Sequence, residues 1–342
     1  MPSTTNQNDT ARYTLNMAGS EVSQAEPMGL EAISVEDHQD MIGQAELTFA
    51  GGRGMQWGSI KMDSPVEMSF GGDTFKVFSG MVTGLRHAYQ NGRDTLTVKA
   101  MDPLCKLQAS RKTKTFDKMK DSDMFSQIIS EAGLQLGNVE ATEEEHPYTF
   151  QRNESMLEFV RRLAARNGMM VRAMQGKIEM VKPQASGGMS IPKTKLISLD
   201  YEMSPKALPK DTTVVGWDYN KKEKVEGKAT SGDISTIGGG ANAVSDAPTW
   251  VGDNYVSDVY TGSQSMAKTM ASAELNRMSR NFLKGRAVLQ GDGRLHVGAG
   301  VNFTDHRTGF NPSVMINSSR HRVFQGSGHT TEIQFVSNTK PT

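Results

Sequence analysis

The sequence predicts an α+β fold that is mainly β, with two similar small β-barrel domains and an α+β insertion between them. Three observations lead to this prediction. Short alternating strands separated by glycine turns fill the first and last thirds of the 342 residues, an amphipathic helix lies in the middle third, and the two strand-rich thirds share a pattern.

The first barrel domain is predicted at residues 11–106, after a polar segment 1–10 that we expect to be disordered. Glycine turns are expected at 71–73 and at Asn91-Gly92, where a two-residue hairpin needs positive φ angles. Closely spaced short strands of this kind are typical of a small barrel or sandwich. The predicted strands are Arg12–Met17, Gly43–Phe49, Ser59–Met62, Val66–Phe70, Phe75–Phe78, Gly80–His87 and Asp94–Ala100.

The α+β insertion is predicted at residues 107–185, and its clearest element is a helix that begins after Ser155 and ends at Gly168. Ser155 and Glu158 have the spacing of a capping box, in which each side chain bonds the other residue's backbone amide. The arginines 161, 162 and 166 are expected to face outward. The apolar stripe consists of Met156, Phe159, Val160, Leu163 and Ala164.

Two further elements are expected in the insertion. A short helix with Phe125, Ile128 and Ile129 on its apolar side should be capped by Asp121 or Ser122 and should end at Gly133. A hairpin of strands 169–174 and 177–181 should turn at Gln175-Gly176.

The second barrel domain is predicted at residues 186–342. Strands are expected at 195–201 and 212–219 and again from 286 to 336. A segment rich in small residues, about 233–262, is expected to be a mobile loop. A helix is predicted at about 264–284, with buried positions Ala267, Met270, Ala271, Met278 and Phe282.

The two strand-rich thirds resemble each other in detail. The segment 80–87 ends in Arg86-His87 and leads through Asn91-Gly92 to an alternating strand at 95–98. The segment 314–321 ends in Arg320-His321 and leads through 326–328 to an alternating strand at 331–335. A duplicated barrel explains both passages, and repeats of this kind belong to architecture more often than to catalysis.

Composition argues against nucleic acid as the main partner, although a local basic groove stays open. The chain has 38 basic and 38 acidic residues, so it carries no overall field that would hold a polyanion. Its one cysteine, Cys105, excludes an intrachain disulfide and fits a reducing compartment. We interpret Cys105 as a small hydrophobic residue between two leucines. Neither a signal peptide nor a transmembrane segment is apparent, so export would need another carrier.

No catalytic, cofactor-binding or metal site is predicted. Glu36, Asp37, His38 and Asp40 could imitate a metal cluster, but alternation along a strand would split them between two faces. The acidic run 143–145 followed by His146 could supply a general acid for sugar hydrolysis, although such a run is usually a solvated loop.

Two groups of residues leave alternatives open. Met169, Met170, Met174 and Met180 fall on one predicted hairpin, where they could form an adaptable contact surface or fill core volume. The three tryptophans could serve as a sugar platform, but they are not clustered. They are Trp57, Trp217 and Trp250.

The passage Tyr148–Gly168, with its Gln-x-Asn-Glu-Ser run, amphipathic helix and Asn-Gly end, resembles the signature helix of the phage late control D family. A hairpin ending near Pro183 completes the pattern. That family includes contractile-tail baseplate hubs and the hub part of type VI secretion spike proteins. Further likeness is found at 78–82, at 100–107, in the helix leading to Gly285 and at 314–335.

The resemblance implies a structural baseplate hub of a phage tail or contractile injection system, and not an enzyme. Such hubs are homotrimers that adapt a hexameric tail tube to a trimeric central spike, contact other baseplate proteins, and let DNA or cargo pass through the lumen without specific binding. No cofactor is implied, and the location would be a virion tail baseplate or an injection particle assembled in the bacterial cytoplasm. The chain ends soon after Phe335, so the spike is expected to be a separate chain. The alternatives are a tail-associated peptidoglycan hydrolase and a carbohydrate-binding tail-tip module.

Overall fold

The fold is that of a computed structural model. It describes residues 13–22, 29–39, 41–51, 58, 60–71, 75–218, 221–238, 240–248, 250–257, 261–304, 311–325 and 327–340. The segment 1–10, expected to be disordered, lies outside these ranges. The protein is mainly β, with 53% strand and 20% helix, which confirms the predicted fold class.

The chain runs through two strand-rich regions with a mixed region between them. The first region contains β1 Tyr13–Met17, β2 Ser20–Val22, β3 Leu30–His38, β4 Gln44–Ala50, β5 Pro65–Phe70, β6 Phe78–Gln90 and β7 Arg93–Met101. The middle region contains α1 Leu104–Gln108, β8 Arg111–Lys120, α2 Asp121–Glu131, β9 Leu136–Val139, β10 Glu145–Ser155, α3 Met156–Arg166, β11 Met170–Met174 and β12 Lys177–Val181. The last region contains β13 Ser186–Pro192, β14 Leu196–Met203, β15 Thr212–Asp218, β16 Glu223–Ala229, β17 Asn254–Val256, α4 Gln264–Ser279, β18 Leu283–Gln290, β19 Ala299–Thr304, β20 Ser313–Phe324 and β21 Gly328–Ser337.

One large sheet joins the two strand-rich regions. Its main path runs β14-β18-β21-β20-β3-β4-β7-β6-β5-β1-β2, and β19 and β13 extend it from β20. Three large apolar cores lie in residues 15–100, 104–180 and 191–335. Val323 of β20 belongs to the first of these cores, so the last region completes the interior of the first.

Glycine turns lie where the sequence predicts them in two hairpins. Asn91 and Gly92 join β6 to β7 with φ angles of 53° and 80°. Gln175 and Gly176 join β11 to β12 with φ angles of 50° and 82°. Positive φ at both positions matches the twist of the flanking strands.

The helix α3 is confirmed in its cap, its buried face and its end. Ser155 Oγ accepts from Glu158 N at 3.1 Å, and Glu158 Oε2 accepts from Ser155 N at 2.7 Å. Gly168 follows with a φ of 69°, which ends the helix. Every residue of the predicted apolar stripe is buried.

Two predicted strands of the first region are wrong. Residues 61–64 form a tight turn, with Asp63 at a φ of 65° and Ser64 N bonded to Lys61 O, so no strand forms there. The strand expected at 75–78 begins only at Phe78. Phe75 instead leaves the sheet and stacks on His296 of the last region, with ring centroids 4.9 Å apart. The expected turn at 72–73 lies outside the described residues.

In the middle region, the predicted cap of one helix is wrong and one strand was missed. Neither Asp121 nor Ser122 caps α2, because Lys120 is the N-cap and Asp121 is already helical. The charge-rich strand β8 was not predicted, because its pairing with β10 in a two-stranded sheet leaves most of its side chains exposed and removes the alternation.

The last region departs from prediction at its helix. The helix α4 ends at Ser279, a 3-10 turn spans Arg280–Phe282, and β18 starts at Leu283. Pairing of β18 with both β14 and β21 explains the earlier start of the strand. The segment expected to be a mobile loop contains the 3-10 turn Ala243–Asp246 and the strand β17, which pairs with β15. In the described part of the chain, no helix has the length and hydropathy needed to cross a membrane.

Candidate functional site

The large sheet contains two four-strand blocks with the same pairing order. We call β3-β4-β7-β6 the first block and β14-β18-β21-β20 the second block. Every neighbouring pair in both blocks is antiparallel, and a fifth strand pairs antiparallel with the start of the last strand in each, namely β5 on β6 and β19 on β20. The similarity noted in the sequence is therefore a repeat of strand connectivity.

The two blocks also agree residue by residue. In the first block, Arg86 lies opposite Thr97, Thr97 lies opposite Thr48, and Thr48 lies opposite Ala32. In the second block, Arg320 lies opposite Glu332, Glu332 lies opposite Val288, and Val288 lies opposite Ser198. Arg86 therefore corresponds to Arg320, and Ala32 corresponds to Ser198.

Irregularities of the pairing recur at equivalent places. The ladder between β6 and β7 skips one residue after Val82, and the ladder between β20 and β21 skips one after Ile316. The ladder between β3 and β4 skips one residue after Leu30, and the ladder between β14 and β18 skips one after Leu196. Because a bulge fixes local bend and register, this agreement identifies the blocks as two copies of one unit.

The surroundings of the Arg-His pair differ between the copies. Arg86 and His87 are exposed on β6, whereas His321 is fully buried and Arg320 is partly buried. The difference arises because β20 is covered along its outer half by β3 of the first block.

This junction between the blocks is held by backbone pairing and by an ion pair. Arg320 lies directly opposite Glu36 in the ladder, and Arg320 Nε is 2.6 Å from Glu36 Oε1. Arg286 Nε lies 2.8 Å from Glu332 Oε1 on the neighbouring strands. The exposed side of the sheet thus mixes both signs of charge.

A buried histidine cluster lies beneath the junction. His321 Nε2 is 3.1 Å from Leu295 O, and Thr331 Oγ1 is 3.1 Å from His321 Nδ1. His329 packs against Phe70 of the first region, with ring centroids 4.3 Å apart and ring planes tilted by 32°. Burial lowers the pKa of His321 to about 3 and that of His329 to about 4, so both rings are neutral at physiological pH.

A second buried polar cluster lies in the middle region around Asp121. Arg166 Nε donates to Asp121 Oδ2 at 2.6 Å, Asn167 Nδ2 donates to the same oxygen at 2.6 Å, and His146 Nε2 lies 3.2 Å from Oδ1. Burial opposes ionisation, but His146 and Arg166 outweigh it and hold the pKa of Asp121 below its ordinary value. The prediction that Arg166 faces outward is wrong, because its guanidinium is needed to neutralise this carboxylate.

The acidic run 143–145 does not converge on His146. Glu144 Oε1 accepts from Ser263 Oγ at 2.6 Å, and Ser263 is the N-cap of α4, so this carboxylate links the middle region to the last region. Glu143 and Glu145 are exposed, while His146 is buried against Asp121. The arrangement suits a structural contact between regions.

The residues considered as a metal cluster do not form a metal site among the residues that the structure describes. Glu36 forms the junction ion pair, Asp40 lies outside the described residues, and no group of three metal-binding side chains is present among the residues that are described. Burial raises the pKa of Asp37 to about 6. Burial also raises the pKa of Asp102 to about 7, although Gly43 N and Leu104 N both donate to its carboxylate.

The remaining candidates have structural positions. Cys105 is half-buried in α1, and burial followed by the charge of Asp102 raises its thiol pKa, which disfavours a nucleophilic thiolate. Met169, Met170 and Met180 are buried, so these three fill core volume. Trp217 and Trp250 are exposed, and Trp57 lies outside the described residues.

Sequence reasoning missed the partner of Arg320. Arg320 was singled out, but its partner Glu36 was considered only as a metal ligand. Aligning Leu30–Glu36 with Leu196–Glu202, which share both end residues, would have extended the repeat upstream.

Solved structures with this fold include tail proteins. A 43 kDa tail protein of prophage MuSo2 from Shewanella oneidensis matches with a TM-score of 0.72 at 14% identity, covering 96% of this chain and 98% of that chain. A tail protein from Neisseria meningitidis matches with a TM-score of 0.69 at 13% identity, over 96% and 97%. An E. coli protein described as a component of the type VI secretion system matches with a TM-score of 0.62 at 12% identity, over 96% and 79%. These likenesses establish the fold.

No curated protein matches the sequence. One family model matches residues 7–325, nearly the whole length, and it is described as the Alg8 N-terminal domain. This family differs from the late control D family suggested by the passage 148–168. On the extent of that match, the chain belongs to the family of the Alg8 N-terminal domain.

Proposed function

We propose that this chain is a non-enzymatic hub at the tip of a phage tail or a related contractile injection apparatus. In this proposal three copies form a ring that joins a hexameric tail tube to a trimeric spike, with other baseplate proteins around it. The resemblance of 148–168 to the late control D family supports the proposal, as do the tail proteins that share the fold. The division into 11–106, 107–185 and 186–342 is part of the same proposal.

The observation that carries the proposal is the agreement of the two four-strand blocks in connectivity, register and bulge positions. A chain with two copies of one unit offers two equivalent surfaces, so three chains offer six. A ring of three chains can therefore meet a sixfold partner on one side and a threefold partner on the other. A single enzyme active site gives no reason for such a repeat.

The strand count gives a lumen of suitable size. Each chain contributes two blocks of four strands, and neighbouring strands lie about 4.8 Å apart. Three chains in one closed sheet, with the strand tilt of about 35–45° that a barrel requires, would have a backbone diameter of roughly 45–50 Å. The exposed side of the blocks carries paired charges of both signs, such as Arg320–Glu36 and Arg286–Glu332. A lumen lined this way would let DNA or cargo pass without specific binding.

The test is the mass of the purified chain by light scattering after size-exclusion chromatography, over a range of concentrations. One chain is 37.3 kDa, and we expect a species of three times that mass. Negative-stain images of this species should show a ring with six similar lobes. A protein that stays at the mass of one chain at every concentration would overturn the homotrimer, and clearing of peptidoglycan in a zymogram would overturn the assignment as a non-enzyme.

A further inference from the structure

The repeat of blocks leaves two strand edges that lack the partner found at the junction. Inside the chain, the outer edge of β3 pairs with residues 318–324 of β20. The edge of β14 that corresponds to β3 has no paired strand among the described residues, and neither does the edge of β6 beyond its pairing with β5. By the correspondence of the blocks, β14 matches β3 and β6 matches β20, and β3 and β20 are the two strands that pair at the junction.

We propose that β14 of one chain pairs with β6 of the next chain, so that the junction within the chain is repeated as the seam between chains. This inference rests on the proposed trimer and names the surface that closes it. The occupant of each edge is a second copy of this chain.

The correspondence of the blocks fixes the register of the seam. Ala32 corresponds to Ser198, and the strands run on without further irregularity, so Glu36 corresponds to Glu202. Since Arg320 lies opposite Glu36 and corresponds to Arg86, Arg86 of one chain should lie opposite Glu202 of the next. The antiparallel ladder then places Ala88 opposite Asp200.

The side chains along both edges fit this pairing. Glu202 and Arg86 are exposed and opposite in charge, as Glu36 and Arg320 are at the internal junction. Large apolar side chains are exposed on the same strands: Ile197 at 62%, Met203 at 44% and Tyr89 at 72%. Unpaired edges of this length with exposed apolar groups favour the addition of another strand.

The geometry also explains why the contact forms between chains. The edges of β14 and β6 lie at opposite ends of the eight strands of the two blocks, and they are not paired with each other in the chain. A head-to-tail contact between unlike surfaces generates a ring when its rotation closes. Three such contacts give six similar junctions, three within chains and three between them.

A disulfide tests the register. With Cys105→Ser removing the natural thiol, Ala88→Cys combined with Asp200→Cys should give linked dimers and trimers, with no longer species, on a non-reducing gel. Ala88→Cys alone should give no linked trimer. Ser34→Cys combined with Arg322→Cys is the matched control, because these residues are partners at the internal junction and should close a disulfide within one chain.

The outcomes separate the seam from the trimer. A trimer in solution in which 34 and 322 link but 88 and 200 do not would overturn the seam and leave the hub standing. A ladder of linked species longer than three chains would overturn the closed ring. A wild-type protein that never reaches the mass of three chains would overturn the proposed function, and the seam with it.

Charge reversal provides a second, independent test. Arg86→Glu or Glu202→Arg alone should raise the concentration for half-assembly by about tenfold or more, because like charges then face each other at every seam. The double variant should restore assembly. Arg152→Glu, the same charge change at an exposed position of β10, should assemble like the wild type. Loss of assembly in the double variant, with each single variant unaffected, would contradict the pairing of 86 with 202.

Discussion

Arg320 and Glu36, from the last and first thirds of the sequence, lie opposite each other in neighbouring strands, with Arg320 Nε 2.6 Å from Glu36 Oε1. This contact marks the junction of the two four-strand blocks. Both side chains keep partial access to solvent, so the attraction between their charges is screened. We infer that the pair favours the correct register more than it adds stability.

Replacement of Arg320 should therefore depend on the charge introduced. Arg320→Gln should lower the free energy of unfolding by less than about 1 kcal/mol. Arg320→Glu should cost more, because the new carboxylate faces Glu36 and Glu332. Urea unfolding would measure both, and equal losses for the two variants would contradict a role for charge at the junction.

Phe159→Ala should destabilise the middle region strongly. The Phe159 side chain is fully buried on α3 and stacks on Phe116 with ring centroids 5.3 Å apart. Loss of the ring should cost about 3–5 kcal/mol in unfolding free energy, measured by urea denaturation. Tyr148→Ala, which removes a half-exposed ring from β10, is the control, and a similar loss in both variants would mean that burial of α3 is not the cause.

Arg166→Ala should be far more damaging than Arg162→Ala on the same helix. Arg166 neutralises the buried Asp121, whose uncompensated charge should cost about 3–5 kcal/mol, whereas the exposed pair of Arg162 with Glu154 should contribute about 1 kcal/mol or less. Thermal or urea unfolding would compare them. Nearly equal losses would show that the cluster around Asp121 carries little of the stability.

Asp121 also makes the stability of the folded protein depend on pH under acid conditions. Its pKa is lower in the folded protein than in the unfolded chain, where a carboxyl titrates near pH 4. The contribution of Asp121 to stability is thus complete above about pH 4 and is lost as the pH falls below that value. Asp121→Asn should be less stable at pH 7 and should lose less stability on acidification than the wild type.

The buried histidines should make the stability of the folded protein depend on pH over a higher range than Asp121 does. His321 and His329 have pKa values of about 3 and 4 in the folded protein, while an unfolded histidine titrates near pH 6.5. The unfolded chain binds more protons between these values, so stability is complete above about pH 6.5 and falls as the pH drops towards 4. His329→Gln should make this dependence shallower in urea unfolding at a series of pH values.

A control for the histidines is Thr331→Val. The Thr331 hydroxyl lies 3.1 Å from His321 Nδ1 and accepts from Asp292 N at 3.1 Å, and its loss removes these hydrogen bonds without removing a proton-binding group. Stability should fall by a similar amount at every pH. A shallower pH dependence in this variant, with none in His329→Gln, would overturn the assignment to the histidine rings.

Local signals in the sequence were sufficient for elements that depend on neighbouring residues. The capping box of Ser155 and Glu158 and the positive φ angles at Asn91-Gly92 and Gln175-Gly176 involve residues at most three positions apart, so the sequence contains all their partners. The repeat of Arg86-His87 and Arg320-His321 was also visible, because duplicated strands keep the same turn spacing.

Only the tertiary structure decided which distant residues meet. The sequence placed Arg166 on an outward face because it falls off the apolar stripe, but Asp121, from another helix, brings it inside. Likewise, Phe75 lies outside the strand expected for it and stacks on His296. Glu36 forms an ion pair with Arg320 because their strands pair at the junction of the two blocks. Periodicity determines which face of an element is apolar. Charge neutralisation and strand order depend on residues far apart in the chain, and a single sequence does not show which of these become partners.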